Sequence, residues 1–351
     1  MLGHGCAKTS RPAGLVAALE TEASRAMDRV GRWDTRFEVA GLSLRVQYAA
    51  AELRDAMLPA MAHLLSESPA DPDLDVWVWE SARSGVTLPD AAGLPGDHTP
   101  YGLGRVRRNG PVLSFFDSWA CSLTVLDLER CTGVFWLPDA ASLPDSARAA
   151  PLQALLNWWL SARGRAVVHG SAVSTAAGAV LLLGASGAGK STTALACIEA
   201  GFGYLGDDLC AVTFEPAAFV HSVYCSAKIL LEDLERFPQL AAKVARPERP
   251  ARKAIACATQ WGSDVVQRGW PLKAAIVLAD RGLPSPELEP ITAAAALRAF
   301  APGTFLNFPG HDKTELAALA KLVTQVPCYR MGLAGDLGAN PRALRRLLEA
   351  T

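Results

Sequence analysis

The sequence predicts an α/β protein in two parts, and three stretches carry that prediction. Residues 36–137 alternate apolar and polar side chains in short runs, a β-rich pattern with one clear helix. A stretch rich in Pro, Asp and Ser around 137–146 (LPDAASLPDS) breaks the pattern and marks a boundary. Beyond Arg165, short apolar runs alternate with helical composition, as in a sheet layered with helices. The expected organisation is an N-terminal arm over 1–35, a smaller β-rich α+β domain over 36–145 and an α/β domain over 146–351. A chain of 351 residues has room for both domains, at roughly 100–200 residues each.

Composition narrows the class. Hydrophobic residues make up 50% and charged residues 20%, which supplies a core and argues against global disorder. Lys and Arg number 34 against 35 Asp and Glu, a net charge of −1 that argues against nucleic acid or a membrane surface as partner. No run of eighteen apolar residues is present, so no membrane span is expected. The opening MLGHGCAKTSRPAG lacks the basic-then-apolar order of a secretory signal, and a cytoplasmic location is expected. The eight Cys (6, 121, 131, 197, 210, 225, 257 and 328) form no C-x-x-C pair or zinc pattern and read as small buried hydrophobes.

In chain order, FEVAGLSLRVQYA reads as a hairpin or bent strand, and AELRDAMLPAMAHLLS as a helix interrupted by Pro. VWVWES is a short strand. RVRRNGPVLSFFD holds Asn109-Gly110 between two strand-like runs, a strong hairpin signal. CSLTVLDLERCTGVFWLP is a second hairpin turning near Glu129–Gly133. Asp145 or Ser146 caps a helix reaching about Ser161, with Trp158 and Trp159 as packing residues. No catalytic constellation is visible in 36–137.

Residues 179–200 carry the chemistry. Ala179–Leu183 is a buried strand. Gly184, Ser186, Gly187, Ala188, Gly189, Lys190 and Ser191 lie in a complete G-x-x-x-x-G-K-[ST] loop, Thr192–Ala200 has helical composition, and Gly201 ends it. Glycines let several backbone N–H groups face one anion at the positive end of a helix. Lys190 is expected at the β- and γ-phosphates of a nucleotide and the Ser191 hydroxyl on Mg²⁺, with Thr192 completing the loop.

Asp207 and Asp208 follow in YLGDD, sixteen and seventeen residues past Ser191. A helix and a return strand occupy that distance, which places the pair at the ligand-binding end of a parallel neighbour strand. Adjacent carboxylates on an extended chain point apart, so one can face Mg²⁺ and the other an incoming hydroxyl. His169, in RAVVHGSAV, ends an apolar strand just upstream and lies near the same edge if the two strands are neighbours.

The ordered set HGSAV, GASGAGKST and YLGDD resembles the catalytic core of the HPr kinase/phosphorylase family, which is itself similar to the phosphoenolpyruvate carboxykinase core. It is most similar to HPr-kinase-like proteins encoded with ribosomally made peptides such as lasso peptides; HSVYCSAKI, RKAI and VPCYRM resemble that branch too. The resemblance spans about 160–335. It implies an Mg²⁺- and ATP-dependent serine kinase acting on a peptide or protein, with Asp207 as base, Asp208 toward Mg²⁺ and His169 near the base. Thr192 stands where that family commonly has an acidic residue, and no Gly-Arg-Asn-type signature of phosphorolysis follows, so forward phosphorylation is the expectation. The residues themselves leave open a small-molecule hydroxyl kinase and an ATP-binding regulator with little turnover.

A cation is needed on the transferred oxygens. Lys253 is the first candidate, with Lys228 and Arg252 beside it, while His221 reads as structural. The N-terminal part, carrying strands and Trp but no chemistry, is expected to recognise the acceptor or mediate assembly, homo-oligomer formation included.

Overall fold

The computed structural model describes residues 12–89, 97–98, 104–244, 253–262, 264–310 and 313–350. The chain divides into two units that interleave in sequence. One comprises Met1–Thr35, Leu44–Arg54 and Pro72–Leu143; the other comprises Arg36–Ser43, Asp55–Asp71 and Pro144–Thr351.

The first unit is built on strands β1 (Arg32–Val39), β2 (Leu42–Ala49), β3 (Leu74–Glu80), β4 (Asp97–His98), β5 (Gly104–Asn109), β6 (Val112–Asp117), β7 (Ser122–Asp127) and β8 (Thr132–Leu137), in the order β1-β2-β3-β8-β7-β6-β5-β4. The tip of the β1–β2 hairpin groups with the second unit. Strands β5 to β8 are antiparallel hairpins, and the Asn109-Gly110 turn stands where expected, with Asn109 paired to Val112 and Gly110 at φ +59°. Within the expected arm over 1–35, the described residues from Pro12 on form a core element. Helix α1 (Pro12–Val30) buries Val16, Leu19, Ala23, Ala26 and Met27 against Trp79, Val125 and Val134. Those five positions fall on one face at the helical period, which is why the segment docks.

The segment Asp55–Asp71 also departs from the expected 36–145 boundary. It belongs to the second unit, where His63 Nε2 meets Ser222 Oγ at 2.7 Å and Cys225 N donates to Ala60 O. Pro59 breaks the expected helix, as Pro does: α2 (Ala51–Met57) gives way to two short 3₁₀ turns.

The second unit has a nine-stranded sheet. Its strands are β9 (Ala166–Val168), β10 (Ser171–Thr175), β11 (Gly178–Leu183), β12 (Gly203–Gly206), β13 (Cys210–Thr213), β14 (Phe219–Ser222), β17 (Gly269–Leu283), β18 (Glu287–Pro290) and β19 (Cys328–Ala334). The order is β12-β10-β11-β17-β14-β13-β9, with β19 pairing β17 and β18. Strands β15 (Ser226–Leu230) and β16 (Lys253–Cys257) form a separate antiparallel pair. Strand β11 is buried along its length and feeds two cores: Val180 and Leu182 face one, Ala179, Leu181 and Leu183 the other. Helices α6 (Lys190–Glu199) and α10 (Ala339–Ala350) cover the first face, and α8 (Ala293–Asn307) and α9 (Lys313–Gln325) the second. Trp158 and Trp159 are buried packing residues. Among the described residues, no helix is long and apolar enough to cross a membrane.

The strand leading to the aspartates is not the direct neighbour of β11. Strand β10 lies between them, antiparallel to both, so β12 runs parallel to β11 one strand away. Ser171–Thr175 and Gly178–Leu183 form a tight hairpin, and that local pairing takes the place expected for β12.

Candidate functional site

Strand β11 ends at Gly184, and the loop to α6 turns on three glycines with positive φ: Gly184 (+139°), Gly187 (+79°) and Gly189 (+99°). A side chain at Gly189 would strike Leu333 Cδ1 at 2.9 Å, and one at Gly184 would crowd Leu278 O at 3.1 Å. These two glycines let the loop sit against β17 and β19. The N–H groups of the first turn of α6 have no helical carbonyl upstream, so they present positive potential to the loop's hollow. Lys190, the first residue of α6, is buried and curls back, Nζ donating to Gly184 O (3.0 Å) and Ala185 O (3.1 Å). Burial lowers its pKa, while the Asp207 and Asp208 charges oppose that shift.

After β12 the chain places two carboxylates in unlike settings. Asp207 is 4% exposed; its Oδ1 accepts from Ser171 Oγ at 2.5 Å, and its buried Oδ2 makes no hydrogen bond among the described residues. Burial and then the Asp208 charge raise its pKa, partly offset by the Ser171 and Ser191 hydroxyls. Asp208 has φ +67°, an uncommon conformation for a non-glycine residue, and its Oδ2 pairs with Lys228 Nζ. Burial alone would raise the Asp208 carboxyl, but the Lys228 charge and hydrogen bond carry it below the ordinary value.

His169 follows β9, which pairs with β13 rather than β11. It reaches the same place by another route: Nδ1 lies 3.0 Å from the Asp208 carbonyl. A carbonyl can only accept, so Nδ1 carries the proton and Nε2 keeps its lone pair. Burial, reinforced by the Lys190 charge, lowers the pKa of His169 to about 4, and the ring is neutral near pH 7. Its partner is thus the main chain of Asp208, not the side chain of Asp207.

A cavity of about 730 Å³ gathers these groups. It is lined by His169, Ser186, Gly187, Gly189, Lys190, Ser191, Thr192, Asp208, Lys228 and Lys253; Asp207 lies behind this lining. Gly184 starts the loop, and Ala188 packs into the core. Lys253 is exposed on β16, Arg252 lies outside the described residues, and His221 bonds Thr213 Oγ1 at 2.9 Å, away from the cavity. Sequence reasoning missed Arg281 at the end of β17, Asn307 at the end of α8, and Leu333, Ala334, Gly335, Leu337 and Asn340 between β19 and α10, all of which line the cavity. One signal was legible: AAIVLADRG is an apolar strand ending in charge, like the strand that enters the loop.

These residues fit a magnesium–nucleotide pair. Among the described residues no group of three or more His, Cys, Asp or Glu forms a closed metal cage. Mg²⁺ in phosphoryl-transfer sites is held by one or two carboxylates together with substrate phosphates and water, and needs no such cage. The bare Asp207 Oδ2 and the Ser191 hydroxyl are the hard oxygens that would hold it.

No protein-family description matches the chain, and no curated protein matches it. Among matching solved structures, the Hpr(Ser) kinase/phosphatase from Coxiella burnetii aligns at 16% identity over 53% of this chain and 99% of that one, with a TM-score of 0.29.

Proposed function

We propose that the second unit is an Mg²⁺- and ATP-dependent phosphotransferase that moves the γ-phosphoryl group to a Ser or similar hydroxyl of a peptide or protein. One observation carries the reading: a single cavity joins the N-terminus of α6, Lys190 and Ser191 to the Asp208 carboxylate and a neutral histidine, with the differently tuned Asp207 carboxylate directly behind its lining. The choice of a peptide hydroxyl rests on the resemblance in HGSAV, GASGAGKST and YLGDD.

The carboxylate surroundings favour roles opposite to those the resemblance implies. Asp207, buried beside Ser191 with one oxygen bare, suits the metal side. Asp208, which lines the cavity with His169 and Lys228, suits the acceptor hydroxyl. The acceptor oxygen bonds to the γ-phosphorus, the bond from that phosphorus to the bridging oxygen breaks, and ADP leaves with the electron pair. The acceptor's proton passes to the Asp208 carboxylate. A carboxylate held ionised by Lys228 is a weak base, but a loose transition state asks it mainly to orient the hydroxyl. Mg²⁺, when bound, neutralises charge shared by the β- and γ-phosphates. Lys228, ion-paired with Asp208, and Lys253, whose charge also acts on that carboxyl, are the cations proposed for the transferred oxygens. The first unit is assigned to acceptor recognition or assembly.

The test is incubation of the full chain with labelled ATP and Ser-bearing peptides, followed by mass spectrometry. A phosphopeptide supports the reading, a labelled metabolite moves it to a small-molecule kinase, and binding without transfer makes the protein a nucleotide-responsive regulator.

A further inference from the structure

Resting on the nucleotide reading above, we propose that the nucleoside half of the donor lies over a wall made by Arg281, Gly282, Leu333, Gly335, Leu337 and Asn340, on the opposite side of the loop from Asp208. Sheet order supplies the first argument. Strand β12, which leads into Asp207 and Asp208, stands on one flank of β11 beyond β10; β17 and β19 stand on the other. Both β17 and β19 run parallel to β11, so their C-terminal ends, at Arg281 and Leu333, open at the edge where the loop begins. The phosphate-binding loop thus sits between a carboxylate flank and an Arg281–Leu333 flank.

Reaction geometry supplies the second. In-line transfer puts the attacking and leaving oxygens on opposite sides of the phosphorus. With the acceptor at Asp208, the leaving oxygen and the nucleoside beyond it point to the β17–β19 flank. The chemistry of the two walls agrees. The carboxylate side carries Asp208, Lys228 and Lys253, whereas the other wall is glycine and leucine apart from Arg281 and the Asn340 amide, which is spent on Ala334. A flat heterocycle needs that kind of surface, with a few polar groups to fix it.

The wall is also built firmly. Asn340 is 1% exposed, and its side chain makes reciprocal hydrogen bonds with Ala334, accepting from N at 2.9 Å and donating to O at 3.4 Å, which pins the start of α10 to β19. Leu333 and Arg281 both abut the last glycine of the loop: a Cβ on Gly189 would lie 2.9 Å from Leu333 Cδ1 and 3.8 Å from Arg281 Cδ. Strand β17 shifts register on both sides of Arg281, and such irregularities re-aim side chains beside binding sites. The Arg281 side chain makes no hydrogen bond or ion pair among the described residues, and the residue is exposed and lines the cavity, where its guanidinium would meet a phosphate oxygen between the loop and the nucleoside. At Gly335, which lines the cavity, the nearest atoms to an added Cβ are 3.9 Å and 4.0 Å away, so a side chain can start there without a clash at its first atom.

Calorimetric titration of the full chain with ATP and with inorganic tripolyphosphate separates the two halves of the ligand. Gly335→Phe is expected to weaken ATP binding by about tenfold or more while changing tripolyphosphate binding by less than about twofold. Leu337→Ser, at a half-buried position of the same wall, gives the same pattern and serves if Gly335→Phe lowers the melting temperature. Arg281→Ala weakens both probes by about tenfold, with Arg281→Lys recovering part of the loss. Lys190→Ala tells the two levels apart. If it abolishes binding of both probes while the two wall variants leave ATP affinity unchanged, or weaken both probes equally, the nucleoside wall is wrong and the nucleotide site stands. If Lys190→Ala leaves both affinities intact, the nucleotide reading fails and takes this inference with it.

Discussion

Asp127 in the first unit and Asp207 in the second are buried to the same degree, 2% and 4% exposed, yet they are put to different uses. Asp127 Oδ1 accepts from Glu129 N (3.0 Å) and Arg130 N (3.1 Å), closing the β7–β8 turn. Asp117 does the same for Trp119 N (2.8 Å) and Ala120 N (3.1 Å) at the preceding hairpin. In both turns a Cys four residues on adopts positive φ, Cys121 at +49° and Cys131 at +51°. Asp207 instead bonds one hydroxyl through Oδ1 and leaves Oδ2 buried and bare. A buried polar atom without a partner costs stability and persists where something else uses it. Burial alone does not set a carboxylate apart; what separates these two is whether the protein's own backbone already engages them.

The comparison breaks most sharply at the loop. On the proposed reading, Lys190→Ala is expected to reduce transfer to background, because it would remove the cation at the phosphates along with the counter-charge to both aspartates. Its hydrogen bonds go to two loop carbonyls, so melting should move by only a few degrees. Near-normal turnover by the folded variant ends the assignment. Next in size are the aspartates. Asp208→Asn should lower turnover about 10²–10⁴-fold with little change in Mg²⁺ dependence. Asp207→Asn should shift the Mg²⁺ requirement upward if, as proposed, its carboxylate is the hard oxygen ligand on the metal side. Titrating Mg²⁺ against activity for both variants decides the matter: a metal defect in Asp208→Asn alone returns the roles to those the resemblance implies.

His169 sharpens the comparison through pH. Its folded pKa is about 4 against an ordinary 6.5, so between those values the unfolded chain binds a proton that the folded chain does not. The stability this provides is full above pH 6.5 and is lost as pH falls toward 4, at up to about 1.4 kcal/mol per pH unit. Asp207, with its pKa raised, works in the opposite direction, its contribution falling as pH rises. The clean measurement is therefore the difference between wild type and His169→Asn in urea unfolding at several pH values. The difference should narrow as pH falls through that window, and a constant difference would contradict the neutral buried ring.

Contiguous features were legible in the sequence. The loop from Gly184 to Ser191, the aspartate pair and the Asn109-Gly110 hairpin are each written within a few residues, where local chemistry dictates backbone geometry. Features that depend on distant partners were not. The place of Asp55–Asp71 in the second unit rests on His63 meeting Ser222, 159 positions away. Arg281 and Leu333 reach the loop only because β17 and β19 lie parallel to β11. Helix α1 is a different case: its buried positions 16, 19, 23, 26 and 27 carried the helical period, but nothing nearby said which surface would receive them. The separate uses of Asp207 and Asp208 also lay beyond sequence, since strand alternation gives opposite directions without saying which carboxylate meets Ser191.

The smallest expected effect tests the saturated member of the pair. Asp127→Ala leaves two turn N–H groups without their acceptor, a change of the same kind as deleting a helix N-cap. It should cost about 1.5–2 kcal/mol, toward the upper end of the roughly 0.5–2 kcal/mol range, because the side chain is buried. Asp127→Asn keeps a carbonyl oxygen at the same place and should recover most of the loss, since the interaction needs an acceptor and not a charge. Neither change should alter ATP affinity or turnover of the folded protein. Urea unfolding of the three proteins measures the first effect and nucleotide titration the second. At Asp207 the expected pattern inverts: the amide substitution preserves shape but changes the Mg²⁺ requirement. If Asp127→Asn were as damaging as Asp127→Ala, charge and not geometry would hold the turn. The contrast between a carboxylate saturated by backbone and one left bare would then no longer explain why only one of them sits at a site.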